Sequence, residues 1–135
     1  MPMIDDCQAA IERALAKDGW RISQSQMYLQ LGGRKIYIDL EATKNTNGQR
    51  QQLMLVEVKC FPEMSSREIY QAVGQYMVYR YILEEAQIQT PLFLAILAFA
   101  YEALFTDAIR QGMDKDGIKQ MIVDINSEVI VEWIT

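Results

Sequence analysis

Apolar and polar positions change period several times along the chain, and each change predicts an element. Ile4, Cys7, Ile11, Ala14 and Leu15 recur at helical spacing, which predicts a first helix running to about Asp18. Asp5 or Asp6 can cap its start, and Gly19 can stop it. Trp20 then opens a strand that includes Ile22. Residues 28–31 form a second short strand or extend the first, and Gly32-Gly33 signals a tight turn. Over residues 34–41 the pattern alternates. Ile36, Ile38 and Leu40 share a core face, while Tyr37, Asp39 and Glu41 share the other. The polar residues 43–50 are rich in turn formers and link this strand to the next as a hairpin.

Residues 53–59 begin as a run apolar on both faces, which predicts a buried central strand. The run ends in Glu57 and Lys59 on one face, with Val56 and Val58 on the other. Pro62 ends its extension, and Ser65 with Glu68 three residues later is a capping-box signature. A long helix follows to about Ala86, with Ile69, Ala72, Val73, Tyr76, Met77 and Leu83 as its buried stripe. Gly74 costs such a helix about 1 kcal/mol relative to alanine, so close packing against the sheet is its expected use. Gln71, Gln75 and Tyr79 lie four apart on a more polar face.

Residues 92–98 are again apolar on both faces. Strand, long helix and strand imply a parallel pair with a right-handed crossover. Residues 101–110 read as a short helix and 120–124 as a strand, which Asn126-Ser127 turns into a last strand over 129–134. The expected architecture is α/β: a single domain over 1–135 with a mixed sheet flanked by helices, in the order α-β-β-β-α-β-α-β-β.

Composition narrows the chemistry. Half of the 135 residues are hydrophobic and 23% are charged, as in a soluble globular chain with a real core. The longest apolar run, 92–100, is strand-sized, so no association with a membrane is expected. The N-terminus carries Asp5 and Asp6 and lacks a basic-then-apolar leader, so no secretory signal is read there. Cys7 and Cys60 have no metal-type spacing and read as reduced thiols of a cytoplasmic protein. Histidine is absent, which excludes Ser-His-Asp and Cys-His catalysis, histidine-based nucleases and His-containing zinc sites. Carboxylates, lysine and a hard, oxygen-loving metal remain. The net charge of −5 argues against strong non-specific binding of nucleic acid. Its distribution softens that: residues 1–80 hold 10 Lys+Arg against 9 Asp+Glu, and residues 81–135 hold 3 against 9.

The candidate site is Asp39, Glu57 and Lys59. A hairpin brings Asp39 and Glu57 onto adjacent strands, where they can be neighbours on one face. Two such carboxylates can hold Mg²⁺ or Mn²⁺ with waters in the remaining positions. A metal so held acidifies a water and neutralises charge on a scissile phosphate. The Lys59 ammonium can orient the attacking water or stabilise the developing charge. The 18 positions from Asp39 to Glu57, followed by Glu-x-Lys, suit a phosphodiesterase. The same residues also read as a structural ion pair or a solvated strand end, since Glu-x-Lys arises by chance in many strands. Glu41 is a third acidic ligand or an exposed strand-end carboxylate. Gln75 reaches toward the site or lies on the surface. Cys60 is a small buried or edge residue, since no histidine exists to activate it, and the eight methionines are core filler. Tyr76, Tyr79, Arg80 and Tyr81 stack on bases or line a half-buried helix face.

The order and spacing of several segments resemble the XisH family, the fdxN-element excision controlling factors of cyanobacteria. These segments are Lys17-Asp18-Gly19-Trp20, Gly32-Gly33-Arg34-Lys35, Ile38-Asp39-Leu40, Val56-Glu57-Val58-Lys59, Gly74-Gln75-Tyr76 with Tyr79-Arg80, and the closing Val129-Ile130-Val131-Glu132-Trp133-Ile134. The resemblance implies a restriction-endonuclease-like fold with a PD-(D/E)xK nuclease core. It implies a role in excising a DNA element alongside a site-specific recombinase and a companion protein, XisI. Carried over by position, Asp39 is the motif's first acid, Glu57 its second and Lys59 its lysine. Gln75 matches the helix glutamine of Gly-Gln-Tyr segments in related nucleases. Ile38 stands where the motif's name has proline. Dimerisation would suit a two-strand cut, although no feature demands it. A non-catalytic accessory that binds XisI or the recombinase is the alternative, and the acidity of residues 81–135 favours it.

Overall fold

Among the described residues, four helices flank one six-stranded mixed sheet in which the strands lie side by side in chain order. The computed structural model describes residues 4–46, 48 and 50–135, with the side chains of residues 4–6 outside the description. Helix α1 (Ile4–Lys17) leads into strands β1 (Arg21–Leu31), β2 (Arg34–Thr46) and β3 (Arg50–Lys59). Helix α2 (Ser66–Glu85), strand β4 (Leu92–Leu97), helices α3 (Ala98–Leu104) and α4 (Asp107–Lys115), and strands β5 (Lys119–Asp124) and β6 (Val129–Ile134) follow. The pairs β3–β4 and β4–β5 are parallel, and the other three are antiparallel.

The two-sided apolar runs become the middle of the sheet. Every residue of β4 is buried, and its side chains alternate between two cores. Leu92, Leu94 and Ile96 pack with Ile69, Ala72 and Tyr76 of α2. Phe93, Ala95 and Leu97 pack with Cys7, Ile11, Ala14 and Leu15 of α1. A strand with period two, covered on both faces, needs apolar residues at every position. Along β2 the buried stripe changes partners. Leu40 and Ala42 belong to the α1-side core, whereas Ile36 and Ile38 belong to the α2-side core. The expected common face is therefore split, because β2 twists as it parts from β3.

Both helix signals at α1 and α2 act locally. Gly19, at φ +93°, takes the left-handed conformation that ends α1 at little steric cost. The side chains of Asp5 and Asp6, the expected caps, lie outside the described residues. At α2 the capping box forms, with Ser65 N donating to Glu68 Oε1 at 3.0 Å.

Several expectations change. Residues 28–31 extend β1 rather than forming a strand of their own, across a register shift between Ile22 and Gln24. The polar residues 43–50 are mostly ladder, pairing Thr43 with Leu53 through Thr46 with Arg50. Backbone groups carry that pairing, to which Thr46 Oγ1 adds a bond to Arg50 O at 3.2 Å, so its polar side chains gave no strand signal. Leu53 is 40% exposed, and burial on both faces begins at Met54. The expected helix over 101–110 is two helices. Thr106 breaks it by capping α4, its Oγ1 accepting from Ile109 N at 3.3 Å. Gly74 is not packed against the sheet, since a Cβ placed there would meet nothing within 4 Å.

Cys7 and Cys60 are joined in a disulfide, against the expectation of reduced thiols. Packing α1 on the sheet sets their Cα atoms 6.1 Å apart, within bridging range. A separation of 53 residues carries no hint of that proximity. Among the described residues, no helix is long and apolar enough to cross a membrane.

Candidate active site

The ladder between β2 and β3 ends at Leu40 and Val56. Just beyond it the strands part, and two carboxylates take over the backbone donors. Val58 N donates to Asp39 Oδ2 at 2.7 Å, and Asp39 N donates to Glu57 Oε1 at 3.3 Å. Each acid is thus fixed by the neighbouring strand, which rotates both into the fork. Glu57 follows Leu55 on the α2 side, by the alternation of the strand.

Two residues further along the same face, Lys59 Nζ donates to Gln75 Oε1 of α2 at 2.5 Å. Gln75 Nε2 donates to the Tyr79 hydroxyl at 3.1 Å, and that oxygen also accepts from Tyr37 N at 3.4 Å. An amide has one acceptor end and one donor end, so the contacts to Lys59 and Tyr79 together fix its orientation. Asp39 and Glu57 share the fork, and Lys59 and Gln75 meet beside it. Tyr79, read from the sequence only as a base-stacking or helix-face residue, is the orienting partner that reading missed. Its signal was the i, i+4 spacing from Gln75.

Other candidates fall away for stated reasons. Glu41 turns to β1, where its Oε1 accepts from Ser23 Oγ at 2.8 Å and Gln24 Nε2 at 3.4 Å. Tyr76 is a core bolt: its hydroxyl donates to Leu92 O at 2.8 Å and accepts from Lys119 N at 3.2 Å. Arg80 donates to Asp116 O and Gly117 O at the end of α4, at 2.8 and 3.1 Å. Cys60 is oxidised and offers no nucleophile. The ion pairs of the described residues are Arg13–Glu128, Lys44–Asp18 and Arg80–Glu84, so Glu57 and Lys59 do not form the structural pair that the sequence also allowed.

Glu57 is 3% exposed, and burial pushes its carboxyl up to about 8, helped by the Asp39 charge. Lys59 and the hydrogen bond from Asp39 N pull the other way. Burial also raises Asp39, against the Val58 N–H and Lys59. Two desolvated acids in one fork disfavour ionising together, so at neutral pH the pair retains a proton.

The donor set suits a hard divalent cation. Among the described residues no group of three or more His, Cys, Asp or Glu gathers as a metal cage. Mg²⁺ is commonly held by one or two carboxylates, with waters or phosphate oxygens completing its shell. Asp39 Oδ1 and Glu57 Oε2 take no hydrogen bond from protein donors among the described residues. These are the two oxygens that would hold it.

The sequence model of the XisH protein family matches residues 1–131. Among solved structures, an XisH family protein from Nostoc punctiforme PCC 73102 is 31% identical, with a TM-score of 0.83. That match covers 97% of this chain and 100% of the other. An fdxN element excision controlling factor protein from Anabaena variabilis is 30% identical, with a TM-score of 0.83, over 97% of this chain and 99% of its own. No match is found among curated proteins. With the family match spanning nearly the whole length and both folds alike, the chain belongs to the XisH family.

Proposed function

We propose that this protein is a Mg²⁺- or Mn²⁺-dependent phosphodiesterase that acts on DNA in the excision of a DNA element. The observation that carries the reading is the fork itself: Asp39 and Glu57 each held by the other's strand, beside a Lys59 ammonium aimed by Gln75. The name of the Anabaena variabilis relative supports the excision role. The arrangement of two acids and a lysine also supports the restriction-endonuclease-like, PD-(D/E)xK reading of the fold.

A divalent cation, when bound, supplies Lewis acidity to a phosphodiester and to the attacking water. Asp39 and Glu57 would hold it, Glu57 as its carboxylate, with the displaced proton passing to solvent. Lys59 would lie beside the reacting phosphate, where its side chain positions the water or stabilises the charge that develops. Gln75 keeps the lysine from swinging out to solvent, and Tyr79 keeps Gln75 in register. A site-specific recombinase and XisI are the partners in this reading, and the cytoplasm is its location.

Plasmid nicking in Mg²⁺ tests the proposal. Lys59→Met should lower the rate by about 10²–10³ while metal binding persists. An undiminished rate would remove Lys59 from the chemistry. The acidity of residues 81–135 favours a second reading, a non-catalytic accessory that binds a basic protein such as the recombinase. Stable co-purification with XisI and no DNA affinity would favour that reading.

A further inference from the structure

The β1–β2 hairpin continues past the fork and presents one face to α2 and the other to solvent. Met27, Leu29, Leu31, Ile36 and Ile38 pack into the α2-side core. Alternation therefore turns Tyr28, Gln30, Lys35 and Tyr37 outward. The register pairs Tyr28 with Tyr37 and Gln30 with Lys35. The two tyrosine rings meet edge to face at 4.9 Å, and Tyr28 is 72% exposed. Lys35 precedes Asp39 by four residues, so it stands about 13 Å along β2 from the first acid of the site, where the strand twists between the two cores.

Charge sets this surface apart. In a chain of net charge −5, residues 21–38 contain no carboxylate, and Lys35 is the cation that alternation places on this face, whereas Arg34 alternates toward α2 beside Glu85 and Arg21 donates to Thr43 at the far end of β1. A ring 72% exposed, the Gln30 amide beside it and the Lys35 ammonium beyond it match the needs of an unpaired nucleic-acid strand. Phosphates want the cation, and bases want the ring. A base inside a duplex is stacked already and cannot use Tyr28 in this way.

We infer that the outer face of the β1–β2 hairpin is the track for a single-stranded or frayed nucleic-acid segment, with Tyr28 stacking a base and Lys35 holding a phosphate as the strand runs toward Asp39 and Glu57. The inference rests on the phosphodiesterase reading and names the class of its substrate: DNA with unpaired nucleotides next to the cut.

The test is fluorescence anisotropy in EDTA, so that no cleavage intervenes, with a labelled oligothymidylate and a blunt hairpin duplex. The full chain should bind the single strand more tightly. Tyr28→Ala should weaken it about tenfold and Tyr28→Phe should restore it, as expected for stacking on a ring. Lys35→Ala should flatten the salt dependence by about 0.7 in log–log slope. Equal affinity in Tyr28→Ala, preference for the duplex, or self-association that Tyr28→Ala abolishes would each overturn the assignment. Nicking that persists with an indifferent Tyr28→Ala removes the track and leaves the nuclease. Tyr28-dependent binding in a chain that neither binds Mg²⁺ nor nicks keeps the track and removes the nuclease.

Discussion

Asp39 and Glu57 hold each other's strands apart. Glu57 Oε1 takes the N–H of Asp39, and Asp39 Oδ2 takes the N–H of Val58, at the point where the β2–β3 ladder stops. The carboxylates thus replace ladder hydrogen bonds and are themselves desolvated in doing so. That exchange leaves a buried Glu57 and a half-buried Asp39 together with one ammonium near them, an arrangement whose excess negative charge a retained proton or a further cation offsets.

The pH dependence of stability follows from the sign of the shift. The Glu57 pKa is raised from 4.5 to about 8 on folding. Between those values the folded chain holds a proton that the unfolded chain has lost, so stability falls as pH rises. The contribution is fully present below 4.5 and lost above about 8, and it amounts to a few kcal/mol, on the order of 1.4 per pKa unit at most. Raised Asp39 adds in the same sense. Urea unfolding from pH 5 to pH 8 should show the decline without metal, and Glu57→Gln should flatten it. A flat wild-type profile would mean that Glu57 is already ionised.

Tyr79→Phe removes the oxygen that accepts from Gln75 Nε2 and Tyr37 N. The Gln75 amide is then free to turn, and Lys59 loses its fixed acceptor. Nicking should fall about fivefold, one hydrogen bond's worth, with a melting temperature lowered by about 3–6 °C and the fold retained. Equal activity would show that Gln75 does not depend on Tyr79.

Gly74→Ala should stabilise the protein by about 0.5–1 kcal/mol. Its Cβ meets nothing within 4 Å, and α2 continues through the position. Denaturant titration reads this directly. A loss of stability would place an unseen neighbour against that face of α2.

Gly74 also marks a limit of the sequence. Helical periodicity located α2 and its stripe, because Ile69, Ala72, Tyr76 and Leu83 meet a sheet at every turn. Periodicity cannot say whether a glycine has a neighbour on its own face. The same limit hid the disulfide, since the packing that joins Cys7 to Cys60 comes from α1 settling on the sheet. The acids and lysine of the site were legible because strand parity puts Glu57 and Lys59 on one face and a hairpin delivers Asp39. The fork was not legible, because where a ladder ends is decided by twist and not by any one residue. The split of residues 98–115 into α3 and α4 was written in Thr106-Asp107, a cap signal hidden by the helical pattern on either side.

Reduction of the Cys7–Cys60 bridge should cost about 2–4 kcal/mol, since it closes a long loop in the unfolded chain. Urea midpoints with and without a dithiol, and for Cys7→Ser, measure it. Coincident midpoints would mean that the bridge is open in the purified protein.

Calorimetric titration of Mg²⁺ and Mn²⁺ into the wild type and Glu57→Gln, at pH 8 and with nicking followed on the same samples, bears most directly on the central claim. Glu57→Gln preserves the size and the neutral form of the buried side chain, so the fold is expected to persist. The account predicts saturable binding in the wild type, loss of binding in the variant, and nicking that falls with it. Equal affinity in both proteins would contradict it, because the cation would then have no use for the carboxylate at the fork.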